Sequence, residues 1–208
     1  MINSTSKTTD LLTAVLSDLA VVVGGITPQQ LHHPTPCSRW DVEQLRDHVL
    51  GWLTTFAAGF ADPQGRAPKA DVEGYSAPAD PAREVRLAAA LLVRAIRGGA
   101  TERPLWLGEN SMPGDLALGM ILWEYQVHGW DLARATGQSW APPAAASEES
   151  LAFAPAMLTE DYQGPGKAFA PAVEVPLSGP PLDRLLGLSG RDPSWSVPAD
   201  GSNPRAGA

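Results

Sequence analysis

Four stretches of this sequence repeat apolar side chains at alternating steps of three and four residues, and that spacing predicts amphipathic helices packed face to face. The first runs from about Thr8 to Val23, with Leu11, Leu12, Val15, Leu19 and Val22 on its stripe and Gly24-Gly25 as a stop. The second starts at Asp41, a capping residue with Gln44 three positions on. Its stripe is Val42, Leu45, Val49, Trp52 and Phe56. The third spans Pro81 to Arg97 and ends at Gly98-Gly99, with Val85, Leu87, Ala88, Leu91, Leu92 and Ile96 apolar. The fourth covers about Asp115 to Thr136, with Leu116, Met120, Trp123 and Val127 inward, Ala117 and Ile121 beside them, and Gly137 at its end. Most of the 20 glycines and 20 prolines fall between these stretches, so residues 61–79 and 101–113 read as loops.

The remainder is less periodic. A further helix is expected over Ser147 to Thr159, interrupted at Pro155, followed by a short strand at Val173-Glu174-Val175 and a short helix from Pro181 to Leu188. The tail from Gly190 reads as mobile. The expected architecture is all-α: a four-helix bundle over residues 1–160 and a short, mostly irregular C-terminal extension over 161–208.

A formal net charge of -8 argues against a nucleic-acid or anionic-membrane partner, since either needs a basic surface. The longest apolar run, near Leu19 to Ile26, is too short to span a bilayer, and the polar amino terminus is unlike a secretory signal. A single cysteine, Cys37, allows neither an intrachain disulfide nor a cysteine-based zinc site. Together these features lead us to expect a cytoplasmic protein.

Two polar residues interrupt the apolar side of the fourth helix. Glu124 and His128 extend the Ala117–Ile121 line and, four residues apart, are neighbours on one face. His48 stands three residues after Leu45 and four before Trp52, at the edge of the second helix's buried stripe. One reading is a divalent metal held by His48, Glu124 and His128, with an open position for water or substrate. The competing reading is a hydrogen-bonded core histidine beside a weak helix pair, although a carboxylate on an apolar face is costly if unpaired. Asp131, three residues beyond His128, could orient that imidazole or carry a proton; it could equally pair with Arg134. Cys37 is expected to be a buried small hydrophobe, His32 and His33 exposed loop residues, and Arg46 and Asp47 solvent-facing. Of the 7 tryptophans, Trp52, Trp123 and Trp130 lie on ligand-bearing helices, either as core or as pocket walls. No phosphate loop, nucleophile elbow or dinucleotide fingerprint is present.

Three blocks carry a family resemblance. They are Pro34-Thr35-Pro36-Cys37-Ser38-Arg39-Trp40-Asp41-Val42 leading to Asp47-His48-Val49; Met112-Pro113-Gly114 followed by Glu124-Tyr125-Gln126-Val127-His128-Gly129-Trp130-Asp131-Leu132-Ala133; and Phe169-Ala170-Pro171 through Asp183-Arg184-Leu185-Leu186 to Gly190-Arg191-Asp192-Pro193. In this order they resemble the actinobacterial mycothiol-dependent maleylpyruvate isomerase-like proteins. The resemblance implies a DinB-like four-helix bundle with one divalent metal on His48, Glu124 and His128. Zinc is the first expectation, with nickel, iron or manganese as others. It further implies mycothiol, or a similar small thiol, used on a small-molecule electrophile in a thiol-transfer or isomerisation reaction; in such a reaction Asp131, by its place beyond His128, is the candidate proton carrier. The isomerase-like proteins with a larger C-terminal α/β domain differ from this chain, in which only about fifty residues follow the possible Ser147 helix. A metal-dependent hydrolase, a non-catalytic metal-binding or ligand-sensing bundle, and a metal-free helical interaction module are the competing expectations. Both a monomer and a homodimer fit the sequence.

Overall fold

The computed structural model describes residues 4–69, 71, 74–165, 167 and 169–198. Among them are six α-helices and one two-stranded hairpin. The chain is thus mostly helical, as expected, but neither purely α nor a plain bundle of four.

The long helices are α1 (Ser4–Gly24), α2 (Val42–Ala61), α3 (Pro81–Arg97) and α4 (Gly114–Thr136). Helix α1 packs on α3 and α4, and α2 packs on the same two, so the contacts close into a ring with α1 and α2 on opposite corners. Leu12, Leu19, Leu45, Leu53, Val85, Leu92, Leu118 and Ile121 meet inside that ring and are wholly or almost wholly buried. Local chemistry fixes the helix ends. Asp41 accepts from the Gln44 amide and the Gln44 side chain accepts from the Asp41 amide, closing the capping box. Asp80 caps α3 ahead of Pro81, and Arg94 and Arg97 sit in its last turn, where the helix dipole favours cations. Leu87, expected on the apolar side of α3, is 55% exposed.

Helix α4 is the centre of the molecule. From Tyr125 to Ala133 every residue is buried, because other elements cover it on all sides. Helix α5 (Ala144–Phe153) lies along it, tied by a buried amide: Gln126 Nε2 donates to the Ala146 carbonyl and to Ser150 Oγ, and Ser147 Oγ donates to Gln126 Oε1. This helix begins three residues before the expected start and gives way to a 3-10 turn over Ala154–Ala156, at Pro155.

Two corrections concern strands. Val173-Glu174-Val175, expected as a strand, is irregular; its Val173 amide donates to the Gly187 carbonyl of the helix beside it. The strands are instead β1 (Leu105–Leu107) and β2 (Asn110–Met112), inside what reads in sequence as a loop. Gly108 supplies the positive φ of 64° that the two-residue turn between them requires. The Trp106 amide and carbonyl bond Gly65 and Ala67, fastening the hairpin to the end of α2.

Helix α6 (Pro181–Leu188) brings Leu185 and Leu186 against Trp123, Val127 and Trp130 of α4, a second apolar cluster beside the main core. The tail expected to be mobile from Gly190 is docked through its first residues: Arg191 is 7% exposed and Trp195 packs on both cores. Residues 199–208 of that tail lie outside the described residues. No described helix is long and apolar enough to cross a membrane.

Candidate metal and thiol site

Helices α2 and α4 bring His48, Glu124 and His128 to one place. The imidazole centroids of His48 and His128 are 5.7 Å apart, and Glu124 Oε2 lies 3.3 Å from His128 Nε2, one helical turn away. Tyr125, next to Glu124, holds the two helices in register: its buried hydroxyl donates to the Val49 carbonyl of α2 at 3.2 Å. His48 is packed between Trp40, centroid 4.1 Å away, and the edge of Trp52 at 6.5 Å. Among the described residues it makes ring contacts and no hydrogen bond.

Behind His128 lies a buried chain of charge. Its Nδ1 meets Asp131 Oδ2 at 3.1 Å, and that oxygen also accepts from Arg191 Nη2 at 3.1 Å. Arg191 Nε lies 3.3 Å from the same oxygen, and its Nη1 donates to the Ser189 carbonyl at 2.9 Å. Asp131 is 0% exposed, so it acts on His128 and has no direct access to a substrate. The alternative pairing with Arg134 does not occur. That guanidinium instead donates to the Trp195 and Pro193 carbonyls and lies over the Trp130 ring.

These neighbours set the protonation. Burial and the charge of His128 push the His48 pKa down to about 4, against the opposing pull of Glu124, so His48 is neutral near pH 7. Burial alone would lower His128 as well, but the hydrogen bonds that its ring donates to Asp131 and Glu124 outweigh it and raise its pKa. Burial favours the neutral forms of Asp131 and Glu124. The Arg191 charge and the His128 bond overcome this for Asp131, and the bond and charge of His128 overcome it for Glu124, so both are lowered. The site therefore holds one neutral imidazole, His48, beside a second, His128, whose protonated form is favoured by a carboxylate at each ring nitrogen.

The donor set can be tested against a divalent ion. Metal–nitrogen bonds of ~2.0–2.1 Å would put the centroids of two ligating imidazoles roughly 4.5–6.5 Å apart, which includes the observed separation. His128 also bonds a carboxylate through Nδ1, leaving Nε2 toward Glu124, the usual outer arrangement of a metal-bound histidine. As the side chains lie, no group of three among the described residues is drawn together tightly enough to grip an ion; Glu124 and His128 are bonded to each other. The residue types and helix positions suit a divalent ion, although the side chains as they lie are not gathered around one.

Beside the triad a cavity of about 270 Å³ opens between α2, the hairpin and α4. Trp52 and Phe56 form one wall, stacked with centroids 5.3 Å apart, and Leu107, Met112 and Met120 face them. Of the tryptophans expected as walls, only Trp52 lines it. Trp123 stacks on Phe169 and donates to Ser189, and Trp130 is core.

Other expectations fare unevenly. Cys37 is buried, and burial raises its thiol pKa, as suits a small core residue. The His32 side chain is 80% exposed, but His33 bonds the Ala135 carbonyl at the end of α4. Arg46 and Asp47 do not face open solvent; they pair at 2.8 Å, and Asp47 accepts from the Ala77 amide, pinning the loop ahead of α3.

Sequence reasoning missed two residues of the site. Trp40 was visible only as a residue before the cap, and its ring proves to be the one closest to His48. Arg191 lies in the tail; the available signal was a second carboxylate, Asp131, on the inward side of the same helix, which demands a cation from somewhere.

A family model described as the mycothiol maleylpyruvate isomerase N-terminal domain matches residues 12–133, a stretch that contains His48, Glu124, His128 and Asp131. Two proteins of Mycobacterium tuberculosis, each described as uncharacterized, are 34% identical to this chain over 175 residues, covering 83% of it and 91% of their own length. No solved structure matches. The match through α2 and most of α4, together with relatives aligned over nearly their whole length, places the chain in the mycothiol maleylpyruvate isomerase N-terminal domain family.

Proposed function

We propose that this protein is a metal-dependent enzyme that joins a small thiol, mycothiol or a close analogue, to an electrophilic small molecule or uses it to isomerise one. The observation that carries the reading is the meeting of two imidazoles and a carboxylate in the lining of an apolar cavity. His48, Glu124 and His128 would hold the ion, for which zinc is the first candidate. When bound, such an ion favours the thiolate form of a sulfur donor near neutral pH. Asp131 and Arg191 fix the tautomer and direction of His128 from behind. Asp131 is thus a positioning residue rather than the proton carrier considered from the sequence, because it is sealed from the cavity. Trp40 and Trp52 keep His48 neutral and oriented by excluding water from its ring. Trp52 and Phe56 line the space where the second substrate would rest.

The test is consumption of mycothiol by purified protein in the presence of an activated alkene. Turnover is expected with metal-loaded wild type and is expected to disappear in His128→Ala and after chelation. Turnover unaffected by both would refute the reading. Stoichiometric metal with no thiol binding by calorimetry would favour a ligand-sensing bundle instead.

A further inference from the structure

The cavity beside the triad carries information about the second substrate. Its walls are aromatic and aliphatic: Trp52, Phe56, Leu107, Met112 and Met120, with the Tyr125 hydroxyl already donated to Val49. The polar groups at its edge are the triad itself, and no Lys or Arg lines it. The cations that act on this region are held elsewhere. Arg39 lies over the Trp40 ring at 5.1 Å, and Arg191 is buried against Asp131. A dicarboxylate entering here would leave water for apolar walls and meet no lining guanidinium or ammonium, so the ion held by the triad would be its one cationic partner for two charges.

Resting on the thiol-enzyme reading above, we infer that the second substrate is an uncharged, planar, apolar electrophile of the enone or quinone class, not a dicarboxylic acid. A cavity of about 270 Å³ accommodates roughly a dozen non-hydrogen atoms at ~20 Å³ each, the size of a one- or two-ring quinone. The reaction such a partner undergoes is conjugate addition. The thiol sulfur forms a bond to the β-carbon, the C=C π pair moves toward the carbonyl oxygen, and the proton lost from sulfur ends on the resulting enolate. The product is a thioether containing every atom of both reactants, and no leaving group or external oxidant is involved. A lining that combines the stacked Trp52–Phe56 pair with two methionines suits an aromatic ring better than a branched aliphatic chain.

The experiment separates this inference from the reading it rests on. Calorimetry on the purified, metal-loaded protein would compare naphthalene-2-methanol with naphthalene-2-sulfonate, a matched neutral and anionic pair of low reactivity. The neutral probe is expected to bind at least about tenfold more tightly, because the sulfonate gives up its water to apolar walls that carry no Lys or Arg. Met120→Arg should narrow or reverse that preference by adding a guanidinium, with Leu107→Arg as a second variant should the first not fold. Equal or tighter binding of the anion by wild type would overturn the inference, as would a preference that neither folded variant alters. In a second arm, mycothiol is supplied with dimethyl fumarate or with fumarate, and addition to the neutral ester alone is expected; faster addition to fumarate would also overturn it. Preferential binding of the neutral probe with no thiol addition to either alkene would refute the thiol-enzyme reading while leaving the pocket's selectivity standing.

Discussion

Replacing Arg191 with methionine tests whether the C-terminal segment is part of the site. In the native chain Arg191 and Asp131 are buried together, joined by nitrogen–oxygen contacts of 3.1 and 3.3 Å, and a further guanidinium nitrogen satisfies the Ser189 carbonyl. The substitution keeps an unbranched side chain of similar reach but strands a carboxylate that is 0% exposed. Removing one partner of a buried pair costs about 3–5 kcal/mol. The remaining bond from His128 offsets part of that, while the orphaned Ser189 carbonyl adds about 1 kcal/mol, so a loss of ~3–4 kcal/mol is expected. The assay is urea unfolding of chelator-treated protein, followed by tryptophan fluorescence. Because the carboxylate is what suffers, the double variant Asp131→Asn/Arg191→Met should regain at least ~2 kcal/mol of the loss. The Asp131 pKa is lowered in the folded protein, so its contribution is complete above the unfolded value of about 3.9 and is lost as pH falls through the folded value. A cost below about 1 kcal/mol for Arg191→Met, or a double variant whose losses simply add, would refute the reasoning.

Two other outcomes follow from particular distances and protonation states. Gly129→Ala should destabilise the protein by about 1–3 kcal/mol in thermal or urea unfolding despite alanine's better helix propensity of about 1 kcal/mol: a Cβ there would stand 2.2 Å from the Trp140 ring, and stability unchanged or improved would contradict the packing described. Metal affinity measured by competition with a chromophoric chelator should fall with acidity in two stages. His128, with its raised pKa, must release a proton to become a ligand, giving a loss of about tenfold per pH unit below that pKa; His48 adds a second proton only as pH approaches about 4. A two-proton slope already present near pH 6 would contradict the protonation assigned to His48.

The sequence made the helices legible wherever periodicity and capping agreed. Pro81–Arg97 and Pro181–Leu188 lie within the limits that proline, glycine and stripe set for them, and Asp41 caps α2 as its spacing to Gln44 implies. The hairpin was not legible, because three-residue strands such as Leu105–Leu107 are too short to display an alternating pattern. Its strands depend on Gly108 at the turn and on pairing with residues beyond α2. For the site, His48, Glu124 and His128 could be read as inward polar residues on apolar stripes. Their distances could not, since helix periodicity places a side chain on a face without fixing which neighbouring helix it meets. The role of Arg191 was hidden for the same reason: sixty residues of chain separate it from Asp131, and only the docking of α6 on α4 brings them together.

The claim most exposed to test is that His48, Glu124 and His128 hold one divalent ion. Metal content per chain, measured by elemental analysis after zinc loading and desalting, tests it without reference to any reaction. Wild type and His32→Ala, a change at an 80% exposed side chain, should each retain about one equivalent, as expected for a three-ligand site. His48→Ala, Glu124→Ala and His128→Ala should each fall below about a tenth of that while keeping the helical circular dichroism of the parent. Equal metal in wild type and His128→Ala, or none in a well-folded wild type, would contradict the account.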